Sequence, residues 1–277
     1  MNSIPRQLAT FAAVLGGLYT VGFIAGQFID AEPHGSSEMT HESETTSMPD
    51  PVRGLAVAEN GLQLEIADPE LAQGKSEQLR FRIVDARRQA VRGFDVEHEK
   101  RMHLIVARRD LTGFQHLHPT MDDDGTWSTP LQLDDAGSYR VFADFVRKGE
   151  ATTLAGDLRV DGTADLQPLP APAPTAVSDG GYDVRLDAGD ARPGEETELS
   201  FTITKDGAPV KTEPYLGAGG HLVALRDGDL AFLHVHPTDH DSVEFGATFP
   251  TTGRYRLFLQ FQHQGRVQTA AFTQEVH

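Results

Sequence analysis

Two stretches of the chain carry histidines at matched spacing: HLIVARRDLTGFQHLHP at 103–119 and HLVALRDGDLAFLHVHP at 221–237. In each, one histidine is followed thirteen residues later by H-x-H-P, giving His103, His116 and His118 in the first and His221, His234 and His236 in the second. Three neutral imidazoles held on rigid strands are a ligand set for a divalent ion, with nitrogens about 2 Å from the metal and a position left for water or a further ligand. The chain has no cysteine. That excludes disulfides, Cys-ligated zinc, iron–sulfur clusters and a thiol nucleophile, and also a blue-copper centre, whose metal needs thiolate. Imidazole sites without thiolate suit Cu(II) and Zn(II), and the usual affinity order puts copper first with zinc as the alternative.

A hairpin must position these side chains. Apolar runs flank the polar stretch ARRDLTG, and folding about Asp110–Leu111 sets His103 opposite His118. In the second copy the fold falls at Gly228–Asp229 and sets His221 opposite His236. Residues directly opposite share a face, as do residues two apart on one strand. His116 and His234 therefore join, and each copy is expected to gather its own three imidazoles; a register slip of one residue would undo this. Asp144, on a strand that could run beside the hairpin, is a further carboxylate candidate in the first copy only, since its counterpart is Gln260. His98 reads as a surface-loop residue and Met102 as core, both without counterparts in PYLGAGG; His240 and His263 read as solvated. The acidic run MDDDGTW lacks the spacing of a calcium loop. No catalytic motif is present, so the expected role is not enzymatic.

The repeat extends beyond the hairpins. The two motifs align without a gap, identical at seven of 17 positions, and GSYRVFADFVRKG (137–149) aligns with GRYRLFLQFQHQG (253–265). Leu79, Phe81 and Ile83 alternate with Arg80 and Arg82, and Leu199, Phe201 and Ile203 with Ser200 and Thr202. This period of two, broken by Gly, Pro and Asp turns, predicts an all-β fold. Strands are expected near 61–67, 78–85, 102–108, 114–118, 126–133, 138–146 and 152–160. Seven strands in about 100 residues is the size of an immunoglobulin-like sandwich, here two in tandem. Phe142 sits oddly, on the face of its strand opposite Val141 and Ala143.

The rest of the chain mounts these bodies. No charged residue occurs between Gln7 and Ile29; Arg6 precedes the run and six acidic residues follow it before Arg53. As a helix this stretch would span roughly 34 Å, enough to cross a bilayer, and the charge asymmetry keeps residues 1–6 cytoplasmic and exports the remainder. A cleaved signal peptide is the competing reading. Gly22 and Gly26 offer a weak G-x-x-x-G pairing face for a homodimer through the helix. Residues 30–55 read as a disordered acidic tether, 56–160 and 181–277 as the two sandwich domains, and 161–180 as an extended proline-rich linker. A net charge of −17 argues against nucleic acid as a partner.

The segment MHLIVARRDLTGFQHLHP followed by GSYRVFADF resembles bacterial exported proteins with YtkA-like domains, across both copies. The H…F-x-H-x-H-P pattern is the most specific part. The resemblance implies a β-sandwich at the cell envelope associated with heavy metals, commonly copper. The folded domains lack a methionine-rich loop, which argues against a Cu(I) carrier. Two readings follow: a membrane-anchored, extracytoplasmic metal-binding protein that buffers or delivers copper, or a non-metal immunoglobulin-like module that meets another envelope protein and whose histidines are structural.

Overall fold

The computed structural model describes residues 52–277 except His234, His240 and Asp241. The 7–29 segment and most of the tether lie outside the described residues; no helix among the described residues is long and apolar enough to cross a membrane. Described residues form strands and no helix. The first domain contains β1 (Ala58–Glu59), β2 (Leu62–Ile66), β3 (Glu70–Leu71), β4 (Ser76–Asp85), β5 (His103–Arg108), β6 (Gln115–Leu117), β7 (Thr120–Met121), β8 (Trp127–Gln132), β9 (Gly137–Arg147) and β10 (Glu150–Val160). The second contains β11 (Thr175–Val177), β12 (Asp183–Asp187), β13 (Glu196–Lys205), β14 (Ala208–Pro209), β15 (His221–Arg226), β16 (Phe232–Leu233), β17 (His236–Pro237), β18 (Glu244–Thr248), β19 (Gly253–His263) and β20 (Arg266–Val276).

Each domain is a sandwich of two sheets. In the first the orders are β1-β2-β4-β8-β7 and β3-β10-β9-β5-β6; in the second, β11-β12-β13-β18-β17 and β16-β15-β19-β20, with β14 pairing β13. Among the described residues every strand ladder is antiparallel except β3 against β10. This is the immunoglobulin-like arrangement, and both copies also carry its tyrosine corner. Tyr139 Oη donates to the Asp135 carbonyl (2.8 Å) and Tyr255 Oη to the Thr251 carbonyl (3.1 Å), each four residues upstream.

The alternation seen in the sequence becomes burial. Leu79, Phe81 and Ile83 on β4 are buried between exposed Arg80 and Arg82, and they pack with Leu104, Val106, Trp127, Val141 and Leu154 in the first core. Leu199, Phe201, Leu222, Leu257 and Phe272 belong to the second core. Strand β5 breaks the half-buried pattern, for all six of its residues are buried. Its other face carries Ile105 and Ala107 into a third cluster with Phe142, Ala155, Val223, Leu225, Phe232 and Phe258, drawn from both domains. Phe142 is thus no misfit: it faces the neighbouring domain. Phe114 and Phe258 stack across this contact at 4.0 Å between ring centroids.

The expected extended proline-rich linker is shorter than 161–180 and is tied to the first domain. Its last residues already form β11, paired with β12, so the second domain begins near Thr175 and not 181. Further back the linker is pinned to the first hairpin: Arg108 Nη2 donates to the Asp165 carbonyl (3.0 Å), and the Gln167 amide donates to Asp110 Oδ2 (2.8 Å). Leu169 packs against the interdomain cluster.

Candidate metal centre

The first hairpin takes the register its sequence suggests. Leu104 pairs Leu117 and Ile105 pairs His116, which continues to His103 opposite His118. His103 and His116 therefore share the face of Ile105, turned away from the first core and toward the second domain. Candidate ligand atoms of His103, His116 and His118 all lie within 4.8 Å of one another. Ring centroids are 5.2 Å apart for His103–His116 and His103–His118, and 4.7 Å for His116–His118.

With the Gln260 amide oriented to present Oε1, hydrogen bonds around the rings place the protons. His103 Nε2 lies 3.2 Å from the Glu97 carbonyl, which only accepts, so Nε2 carries the hydrogen. His116 Nδ1 lies 2.7 Å from Gln260 Oε1, so Nδ1 carries the hydrogen there. What remains are His103 Nδ1 and His116 Nε2, two lone pairs facing each other at 3.0 Å. His118 Nε2 is buried without a hydrogen-bond partner. Two nitrogens bound to one tetrahedral ion at about 2.05 Å stand about 3.3 Å apart, close to this spacing. Partners that hold a ligating imidazole by its other nitrogen are the usual support of a metal site.

A proton between the rings is the competing occupant, and burial opposes it. Desolvation, then the neighbouring His103 and His118, pushes His116 down to about 3. Burial, then His103 and Lys100, pushes His118 down to about 4. His103 is lowered too, chiefly by burial, although the Glu97 carbonyl and Asp144 pull the other way. All three rings are neutral at pH 7 and keep their lone pairs.

Asp144 stands opposite His103 on β9 and is 7% exposed, and Thr153 Oγ1 donates to its Oδ1 (2.6 Å). The second domain repeats this cross-strand row with His221 opposite Gln260 and Gln260 Nε2 donating to Thr269 Oγ1 (3.5 Å). Asp144 is absent from the three-residue group; its nearest role is electrostatic, raising His103 and His116.

The second hairpin departs from expectation. Its register is the expected one, Ala224 with Leu233 and Leu225 with Phe232. But Val235 is no longer in a strand, and His236 is exposed and paired with Gly246 of β18, in the opposite sheet. The expected ladder partnership of His221 with His236 is not formed, and His234 lies outside the described residues. His221 instead joins the first cluster: its ring is 4.7 Å from His116 and 5.6 Å from His103.

Two participants went unread in the sequence. His98 is no free surface residue, since its ring lies 6.1 Å from His103 and 5.8 Å from His221. It occupies a two-residue turn bridging Glu97 and Lys100, with φ of 46° at His98 and 65° at Glu99. The second copy has the same turn at Leu216 and Gly217, with φ of 55° and 82°. Carrying the gapless alignment five residues upstream would have set His98 against Leu216 and exposed the match. Gln260 had been noted only as the counterpart of Asp144; its role across the domains had no local signal. Met102 is core as expected, 1% exposed, and His263 bonds Tyr182 Oη (2.8 Å).

Fold and site together define a tandem immunoglobulin-like module whose domains meet at a buried histidine cluster. The chain belongs to the family described as Domain of unknown function (DUF8832), whose model matches it twice, at residues 56–162 and 175–277. The double match agrees with the internal repeat, and the family description carries no metal. No curated protein matches. Among solved structures the chain is similar to the Escherichia coli adhesin FdeC, at 16% identity over 80% of this chain and 66% of that one, with a TM-score of 0.28. It is similar also to Escherichia coli alpha-2-macroglobulin (13%, 78% and 20%, TM-score 0.28) and to the tandem Ig repeats of Dlar (8%, 78% and 97%, TM-score 0.21). The chain thus spans less than two thirds of the first two.

Proposed function

We propose that this protein binds one divalent ion, copper or zinc, through His103, His116 and His118, in a module held outside the membrane by its N-terminal segment. The observation that carries the reading is the pair of lone pairs facing each other at 3.0 Å beside the orphaned His118 Nε2. A cation turns that repulsion into coordination, and the Glu97 carbonyl and Gln260 hold the rings in the binding tautomers. The affinity order supports copper over zinc. The export and anchoring rest on the charge asymmetry around residues 7–29. We read the role as buffering or delivery and not as catalysis.

A second reading is favoured by the fold and by the same hydrogen bonds. Reversing the Gln260 amide would let its Nε2 donate to His116 Nδ1, His116 to His103 Nδ1, and His103 to the Glu97 carbonyl, a chain satisfied without any ion. The protein would then be an immunoglobulin-like interaction module with structural histidines. Calorimetric titration of the full chain with Zn(II) and Cu(II) separates the two. Stoichiometric uptake that disappears in His118→Ala supports the metal reading; no saturable uptake leaves the interaction module.

A further inference from the structure

The cluster that would bind an ion is not confined to one domain. His221 opens β15 of the second domain, and its ring stacks on His116 at 4.7 Å and 25° and on His103 at 5.6 Å and 9°. Gln260, its cross-strand partner, is 7% exposed and reaches over to His116 Nδ1. Around a tetrahedral ion with imidazole nitrogens at about 2.05 Å, ring centroids stand about 5 Å apart. The first-domain pairs at 4.7–5.2 Å meet that figure. Of the pairs His221 makes, that with His116 at 4.7 Å meets it and that with His103 at 5.6 Å is wider. His221 stands outside the group of three whose nitrogens lie within 4.8 Å, so it must close on the ion as the ion binds.

We infer that His221 supplies the fourth ligand, so that a single ion is held by both domains and clamps them together. This rests on the metal reading of His103, His116 and His118. Three histidines come from the hairpin β5–β6 and the fourth from β15, with Gln260 positioning His116 from the far side. The apolar cluster of Ile105, Phe142, Val223, Leu225 and Phe258 lies on the same faces. It brings the domains to contact distance, and the ion fixes their register. His98 covers the cluster from its turn, with its ring near both His103 and His221. On this inference the ion expected in the first domain alone is shared by both domains.

The test uses the full chain with His34 and His41 replaced by Ala, so that tether histidines contribute nothing. Cu(II) serves as probe for pulsed electron paramagnetic resonance, which counts bound imidazoles, and Zn(II) for affinity. The expected result is four imidazoles, falling to three in His221→Ala, with zinc affinity at least tenfold weaker; His221→Gln, closer in volume, should behave alike. An unchanged count and affinity in both variants would overturn the clamp while leaving the three-histidine site standing. Failure of the parent chain to take up either ion would overturn both. Uptake that survives His118→Ala but is lost in His221→Ala would assign the ion to the second domain and also overturn the clamp.

Discussion

The two copies build one hairpin and leave it at different points. In the first, the chain stays beside β5 through Leu117 and joins the opposite sheet only at Thr120. In the second, Val235, the counterpart of Leu117, lies outside any strand, and His236 is already paired with β18. His118 and His236 align in sequence, yet one is half-buried in the cluster and the other is exposed. A conserved ligand pattern is therefore insufficient: the residue at which a strand changes sheets decides whether the last histidine faces its partners. The same contrast runs through the cross-strand row, where Asp144 in one copy stands in the place of Gln260 in the other.

The largest expected difference is between His118→Ala and His236→Ala. The first should weaken Zn(II) binding by a hundredfold or more, and the second by less than threefold, measured by calorimetric titration of the full chain. Equal losses would erase the distinction between the copies. Next comes acid stability of the chelated protein. Burial holds the folded His116 down at about 3, against about 6.5 for an ordinary histidine. The unfolded chain therefore binds the extra proton, and stability present above pH 6.5 is lost as pH falls toward 3. By pH 5 this amounts to about 2 kcal/mol, and His116→Gln should flatten the 6.5-to-5 portion of the profile of melting temperature against pH. A slope unchanged in that variant would mean another group titrates.

A smaller effect is expected from Gln260→Leu, which removes the acceptor on His116 Nδ1. Zinc affinity should drop about tenfold, as for other supporting partners, whereas Asp144→Asn should change it less. The reverse ranking would move the support of the site into the first domain. Smallest is a matched pair in which the copies should agree: Tyr139→Phe and Tyr255→Phe each remove one corner hydrogen bond, and each should cost about 1 kcal/mol in denaturant unfolding. Unequal costs would show that the copies differ in their frames as well as in their sites.

Much of the frame was legible from residue order. The seven expected strands correspond to β2, β4, β5, β6, β8, β9 and β10, because alternation on a half-buried sheet leaves a period of two. The hairpin register was legible too, since turn symmetry around Asp110–Leu111 sets it. The two-residue strands β1, β3 and β7 were not, being too short to show any period. The meeting of the domains left one trace, Phe142 on a face that should have been polar. That trace could say a surface was covered, not by what. The placement of His221 among first-domain histidines depends on contacts between residues over a hundred positions apart, which no local pattern encodes.

The interdomain cluster holds equivalent residues from both sides: Ile105 with Val223, Ala107 with Leu225, Phe114 with Phe232, and Phe142 with Phe258. Such self-complementarity is the signature of an isologous interface, the kind through which two identical subunits form a twofold dimer. In a dimer of identical subunits every substitution appears twice, so both halves of a shared site must change in step. Joining the halves in one chain lifts that rule. One half can hold an amide at position 260 and its last histidine on another sheet, while the other holds a carboxylate at position 144 and its last histidine in the cluster. The tandem arrangement thus leaves its two faces free to take unequal shares in one site.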